Sequence, residues 1–498
     1  MTPTVGRISA LLVPLAIVSR GLGFVVPLVV AMWFGVGEVT DAWYWALAFP
    51  TFALVLASTA LGTAATPAIA RMRRDRPAEL PQMVGGLAGW TAIGSGLAGL
   101  AICLGAGPSL PWLTDFAPAT QQLTSQFLWE LLPFMVLTSA GAVLRVTCEV
   151  HGRFFVVAGT PLLRASVVIA ATAGLKPIIG PHALPWGLVA GELVQVSFWA
   201  ALLHRTGVKL EFRPHLDPTI VAVGRDLAPI LAGEVLVALN LIVDKAFAAH
   251  LPTGSVATLE FADRARVIPQ TLLESTLLMV AYATWSNLRA SGRVAESRAA
   301  VDQALRWTLA LAAPCIAGMF IGRVALTRML YERGAFLPDD TAHTADVLGW
   351  YLVGVLPTLL GILAVRAHVL ERNLQLVFAL GALSVVANAA LNLIWMRPLG
   401  LSGLALATTL NMTLIPGIYL WKLRKMVPFQ LKRWATPLTL AAGAVTITAV
   451  AEVTTGPPDT VSDLTLWAWS LPCFLLLAIG ASATRPPSEP SAQSTDAQ

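Results

Sequence analysis

Charge is what this sequence lacks most. Only 12% of its 498 residues are Asp, Glu, Lys or Arg, against roughly 25% in an ordinary soluble domain. That leaves too few polar side chains to cover a water-soluble particle of this length. Cysteine is scarce as well. Cys103, Cys148, Cys315 and Cys473 are the full set; each falls in an apolar run, none has metal-ligand spacing, and they read as small buried hydrophobes. The seven histidines are scattered. There is no Ser-His-Asp set, no His-rich cluster and no glycine-rich phosphate loop, and nucleic acid is not an expected partner. Long polar segments are missing too. The longest, 107–126 and 204–225, are too short to form a domain of their own, so any function must be carried by apolar helices and their connections.

What is present is hydrophobic: 56% of residues, with a mean hydropathy of +0.71. The apolar residues gather into windows of about 20, the length that crosses roughly 30 Å of hydrocarbon. About fourteen such spans can be drawn, so the expected fold class is an all-α membrane protein. They are 8–34, 42–65, 83–106, 127–148, 155–175, 186–203, 226–249, 264–287, 303–325, 345–365, 375–396, 401–421, 434–452 and 464–483. The first has no small-residue cleavage site behind it and reads as a retained helix. The Pro-, Ser- and Gln-rich stretch 485–498 reads as a disordered tail.

Lysine and arginine orient the chain, because short basic loops stay in the cytoplasm. With the N-terminus inside, inner segments collect clusters such as Arg71, Arg73, Arg74 and Arg76, then Arg205, Lys209, Arg213 and Arg225, then Lys422, Arg424, Lys425, Lys432 and Arg433. Outer loops hold Lys176, Arg328, Arg333 and Arg397. This alternation predicts both termini in the cytoplasm and the chain in the inner (plasma) membrane. Spans seven to twelve look like a second copy of one to six: Leu132-Pro133 and Leu356-Pro357 open the fourth and tenth, and basic loops at Arg153 and Arg372 follow. The expected organisation is a lobe at 1–203, a second lobe at 204–425 and accessory helices at 426–484. Transporters built from such repeats hold substrate between them.

Charges buried in a membrane are costly and point to function. Arg20 lies in the middle of the first span, where an arginine costs about 2.5–3.5 kcal/mol, and is expected to face water or an anion. Asp244 and Lys245 lie deep in the seventh span; as sequence neighbours they face different ways, so each needs its own partner. Asp263, Arg264 and Arg266 are expected at the outer start of the eighth span, and Arg145 and Arg164 lie in the fourth and fifth. Glu130, Glu192, Glu234 and Glu274 are the acids in reach. Plainer readings stand beside these. Arg145, Arg306 and Arg323 could snorkel to the interface, Arg264 could be a helix-end residue, and Asn388 with Asn392 could simply join helices by hydrogen bonds.

Several stretches together resemble one family. Ser19-Arg20-Gly21-Leu22-Gly23-Phe24, Thr40-Asp41-Ala42, Gly152-Arg153-Phe154 and Leu251-Pro252-Thr253-Gly254-Ser255 come first. Phe261-Ala262-Asp263-Arg264 leading to Pro269, Glu332-Arg333-Gly334-Ala335-Phe336, Asn388 with Asn392 and the run from Pro398 to Thr409 follow. In this order and spacing they resemble the MurJ (MviN) lipid II flippases of the multidrug/oligosaccharidyl-lipid/polysaccharide exporter superfamily. The resemblance implies two pseudo-symmetric six-helix lobes around a cationic cavity, plus two C-terminal helices forming a lipid-facing groove. It implies alternating-access transport of an undecaprenyl diphosphate carrying a sugar-peptide headgroup to the periplasmic leaflet, by a non-enzymatic protein acting as a monomer.

Residue by residue, the resemblance makes Arg20 and Arg264 ligands of the diphosphate or headgroup and Asp41 an outer-gate or cavity-mouth residue. It also implies a possible Na+ site at Asp244, Asn388, Asn392 and Thr408, with no other cofactor. The family pattern can carry an acid where Asn392 stands. Two further departures remove cavity cations: Val26-Pro27 stands where Arg-Asp is usual, and Thr51–Leu61 lacks an arginine pair. Arg145 and Arg164 are the candidates to replace them. Four other readings remain: a flippase for a different polyprenyl-linked oligosaccharide, an ion-coupled drug exporter, a membrane glycosyltransferase using Glu38 and Asp41, and a non-transporting scaffold. An exporter of cationic drugs would want an acidic cavity, and such a glycosyltransferase normally has a large external domain.

Overall fold

The computed structural model describes residues 24–55, 61–208, 210, 217–274, 279–427 and the single positions 434, 439, 442 and 443. Arg20, Cys473, the span expected at 464–483, nearly all of that at 434–452 and the tail 485–498 lie outside the described residues. The described chain is helical, with no strand among its elements. In order they are α1 (Val25–Phe34), α2 (Glu38–Val55), α3 (Gly62–Asp75), α4 (Leu80–Leu113), α5 (Pro118–Val150), α6 (Phe154–Ile179) and α7 (Ala183–Arg205). After these come α8 (Pro218–Ala248), α9 (Ser255–Leu273), α10 (Met279–Ala290), α11 (Val294–Ile321), α12 (Arg323–Tyr331), α13 (Pro338–Leu370) and α14 (Leu374–Leu423).

Seven helical stretches are long and apolar enough to cross a membrane, and two of them hold two spans each. The stretch Phe154–Arg205 has 52 residues; straight, it would be about 78 Å long, far beyond a bilayer core. Gly180 (φ 60°, ψ −129°) breaks it after Ile179. Gly400 (φ 57°, ψ −128°) breaks the 50-residue α14 in the same conformation. Helix is therefore found at each of the first twelve expected spans, in the first of them over Val25–Phe34, since 8–23 lie outside the described residues. The halves also repeat in backbone. Gly152 (φ 75°) ends the turn after α5, and Arg372 (φ 59°) ends the turn after α13. That pair is separated by the same stretch of sequence as Gly180 and Gly400. Arg372 is the one non-glycine residue with positive φ among the described residues, so it takes a conformation that favours glycine.

The helix starts follow local chemistry. Asp217 caps α8, its carboxylate accepting from the Thr219 N–H at 2.7 Å, with Pro218 at the first position where no donor is needed. α9 begins at Ser255, well before the residue 264 expected from hydropathy. Its cap comes from far along the chain: the buried Asp41 carboxylate accepts from the Ala257 N–H at 2.8 Å and from the Gly254 N–H. Asp263 and Arg264 thus lie turns inside α9, not at its outer start.

The chain divides into two compact units. The first comprises Met1–Ala265, Leu330–Tyr351 and Asn373–Asn411. Within it α4 packs on α5, α6 on α7, and α5 on both α2 and α7. Glycines permit the closest approach. A Cβ at Gly187 would lie 2.1 Å from Thr172 Oγ1, and one at Gly191 would lie 2.4 Å from Val168 Cγ2. One turn apart on α7, they let α6 come against it as small residues do in membrane bundles, and this brings Arg164 of α6 to Glu192 of α7. Trp199, Leu203, Ile69, Met83, Val143 and Leu144 form part of the apolar core between α3, α4, α5 and α7. Leu97, Leu104, Trp112, Val386 and Leu393 are exposed, as a lipid-facing surface requires.

The second unit comprises Arg266–Met329, Leu352–Arg372 and Met412–Gln498. α10 packs on α11, Ser297 donating to the Trp285 carbonyl at 3.1 Å. Glu371, at the end of α13, accepts two bonds from Arg289 (3.0 and 2.6 Å) and one from Arg298 (3.1 Å). This is a bidentate pair with a third donor. Glu371→Ala is expected to cost about 1–3 kcal/mol, read as a lower denaturation midpoint of the purified protein; an unchanged midpoint would remove the clamp.

Candidate functional site

Two constellations of polar side chains lie inside the first unit. One lines a chamber of about 280 Å³ walled by Val30, Trp43, Tyr44, Phe134, Arg164 and Arg264, among others. That is near the low end of ligand sites, which run from roughly 300 to 1,000 Å³. α2 supplies Trp43 and Tyr44, α5 supplies Phe134, α6 Arg164 and α9 Arg264.

Both chamber arginines are paired. The Arg164 guanidinium lies 3.1 Å from Glu192 Oε2 and 5.4 Å from the centre of the Phe134 ring. Arg264 donates from Nε to Glu260 Oε1 at 2.7 Å, one helical turn away on its own helix, and its Nη2 is 2.7 Å from the same oxygen. The other Glu260 oxygen is 2.9 Å from Lys245 Nζ of α8, which also donates to the Tyr44 carbonyl at 2.8 Å. Glu260 and Lys245 are buried, whereas 37% of the Arg264 side chain is exposed. So of this trio only Arg264 reaches the chamber. Such a carboxylate, held by two cations from two helices, keeps an arginine fixed in an apolar wall without leaving its charge unbalanced.

Other candidates lie elsewhere. Arg145 does not line the chamber: it pairs with Glu149 one turn on at 3.1 Å, near the end of α5. Asp41 is 1% exposed and caps α9. Arg266 donates to Gln270 at 3.1 Å. Glu130 meets His182 at 2.9 Å, and Glu274 accepts from Gln270 at 2.7 Å. Glu260 is the residue the sequence reading passed over. Its signal was there, an acid four residues before Arg264 on one helix face; placing the helix start at 264 hid it.

The second constellation is built around Asp244, next to Lys245 but on another face of α8. Asn388 and Asn392, one turn apart on α14, donate to Asp244 Oδ1 at 2.6 and 2.8 Å. Thr408, beyond the Gly400 break, donates to Oδ2 at 3.3 Å. The amide oxygens of Asn388 and Asn392 are buried without a partner. Turning each amide over exchanges donor for acceptor, so that one carboxylate, two amide oxygens and a hydroxyl would converge. That donor set suits a hard monovalent cation, and the orphaned oxygens give it a use.

Comparison with known proteins gives a consistent picture. A protein from Vibrio cholerae serotype O1 named "Probable lipid II flippase MurJ" is 27% identical over 429 residues, covering 80% of each chain. A Burkholderia cenocepacia protein named "Lipid II flippase MurJ" is 25% identical over 366 residues, covering 69% of each. Among solved structures, "Lipid II flippase MurJ, inward closed conformation" matches with a TM-score of 0.78 at 21% identity, covering 95% of this chain and 98% of that one. An inward-facing multidrug resistance MATE family transporter of the MOP superfamily matches at 0.63 and 14%, covering 84% and 99%. These structural likenesses bear on the fold alone. The family model described as "Lipid II flippase MurJ" matches residues 30–475, and with nearly the whole sequence inside that match the chain belongs to the lipid II flippase MurJ family.

Proposed function

We propose that this protein carries lipid II, a polyprenyl diphosphate bearing a sugar-peptide headgroup, from the cytoplasmic to the periplasmic leaflet of the plasma membrane. The observation that carries the reading, within that family, is Arg264 in the chamber wall, charged and partly exposed beside Trp43 and Tyr44. A guanidinium binds a diphosphate by charge-assisted, bidentate hydrogen bonds. A chamber of this size takes the diphosphate end while the prenyl tail stays in lipid. Arg264 and Arg164 hold that end from two helices, and Arg20 is a third ligand by its match to the family motif. The chain works as a monomer with both termini in the cytoplasm. Its lobes at 1–203 and 204–425 rock to open the chamber to one side and then the other, and no covalent bond is broken.

Asp244, Asn388, Asn392 and Thr408 would hold a sodium ion in the second lobe. When bound, it supplies a positive charge that links transport to the ion gradient. With one carboxylate and neutral oxygens, these residues bind it weakly enough to release it. Export of cationic drugs, the alternative within the superfamily, is disfavoured by the same chamber: its described lining holds two arginines and no acid, and the acids behind those arginines, Glu192 and Glu260, are already taken by arginine and lysine.

The test is rescue of a strain depleted of its own lipid II flippase. The intact chain is expected to restore growth, and Arg264→Ala and Arg20→Ala to lose at least tenfold in colony-forming units at equal membrane abundance. Full rescue by both variants would overturn the ligand assignment, and failure of the intact chain to rescue would overturn the substrate.

A further inference from the structure

The polar face around Asp244 does not stop there. One turn before Asp244 on α8 lies Asn240, and one turn before Asn388 on α14 lies Ser384. Asn411 follows Thr408 by three residues past the Gly400 break. These three meet: the Ser384 hydroxyl accepts from Asn411 Nδ2 at 3.0 Å and from Asn240 Nδ2 at 3.5 Å. Asn240 Oδ1 and Asn411 Oδ1 are buried with no partner, and Asn411 is only 7% exposed. The buried asparagine oxygens without a partner among the described residues are those of Asn240, Asn388, Asn392 and Asn411. All four therefore lie on these two tiers, and none is found elsewhere in the described bundle. Buried acceptors are normally satisfied. Four orphans of one residue type, within a turn or two of Asp244 on α8 and on both segments of α14, give this polar face acceptors to spare.

We propose that Asn240, Ser384 and Asn411 form a second cation station, one helical turn from Asp244, through which a monovalent ion reaches and leaves the Asp244 site. The proposal rests on the sodium reading of Asp244 given above. The chemistry of the tier selects the ion. With the Asn240 and Asn411 amides turned over, as at Asp244, it offers two amide oxygens and a hydroxyl and no acid, too little charge for a divalent cation and enough to replace part of the water shell of sodium. Each tier joins buried side chains (Asn411 in one, Asn388 and Asn392 in the other) to part-buried ones (Asn240 and Ser384; Asp244 and Thr408), so neither is fully enclosed. Passage through weak, neighbouring sites is how an ion can be bound and still leave. Repulsion at a spacing of about 5.4 Å keeps both from filling at once, so one ion moves between them.

The probe is thallous ion, a monovalent cation that oxygen ligands accept and that anomalous diffraction locates, applied to crystals of the full chain. Two partial peaks are expected, one beside Asp244 and one between Asn240, Ser384 and Asn411. Asn411→Leu or, should that variant not fold, Ser384→Ala should abolish the second peak and keep the first, raised in occupancy. A peak at Asp244 alone in the unaltered chain overturns the second station and leaves the Asp244 site standing. A second peak that survives both substitutions also overturns it. No peak at either tier overturns the station and the sodium reading together.

Discussion

Glu260→Ala is expected to be the most damaging single substitution in the described bundle, lowering stability by about 3–5 kcal/mol. The carboxylate is 2.9 Å from Lys245 and 2.7 Å from Arg264, and its removal leaves two cations facing each other in an apolar wall. They are not equally hurt. Arg264 reaches the chamber and can be hydrated there, whereas Lys245 is buried beneath Tyr44 and keeps no acid, only the Tyr44 carbonyl and the face of its ring. The double variant Glu260→Ala/Lys245→Met should therefore recover much of the loss, because an absent pair costs less than a broken one. Denaturation midpoints of the purified variants in one detergent check this. A double variant no more stable than Glu260→Ala would show that the lysine charge is not the source of the damage.

Asp41→Ala comes second, with an expected loss of about 2–4 kcal/mol. Asp41 accepts from Gly254 and Ala257, at the start of α9, and alanine leaves both N–H groups buried without an acceptor. Asp41→Asn retains one acceptor oxygen and should lose about half as much. Amide hydrogen exchange at the first turn of α9 gives a local readout: Asp41→Ala should speed it at Gly254 and Ala257 while leaving the first turn of α8, capped by Asp217, unchanged. Equal exchange in the variant and the parent would remove the capping role.

These two residues also show how far the sequence could be read. The spans were legible because twenty apolar residues in a row have few alternatives, and helix lies at each of the first twelve. Neighbours Asp244 and Lys245 were read as needing separate partners, and they have them: two asparagines and a threonine for one, Glu260 for the other. What stayed hidden was action across distance in the chain. A cap is normally sought within a few residues of the helix it serves, but Asp41 precedes α9 by more than two hundred positions. Without that cap the start of α9 was misplaced, and Glu260 fell into a loop on paper. The replacement of the missing cavity cations was legible only as a choice between Arg145 and Arg164. Packing puts Arg164 in the chamber wall, because Gly187 and Gly191 draw α6 onto α7, whereas Arg145 turns to Glu149 near the end of α5.

The sharing of Glu260 bears on what happens when a diphosphate arrives. If Arg264 swings toward the guest, the acid it leaves is not stranded, since Lys245 still neutralises it. Arg164 has no such understudy in its bond to Glu192. The first arginine can thus be lent out and taken back with no proton changing hands, while the second serves best by staying where it is and offering only its free edge.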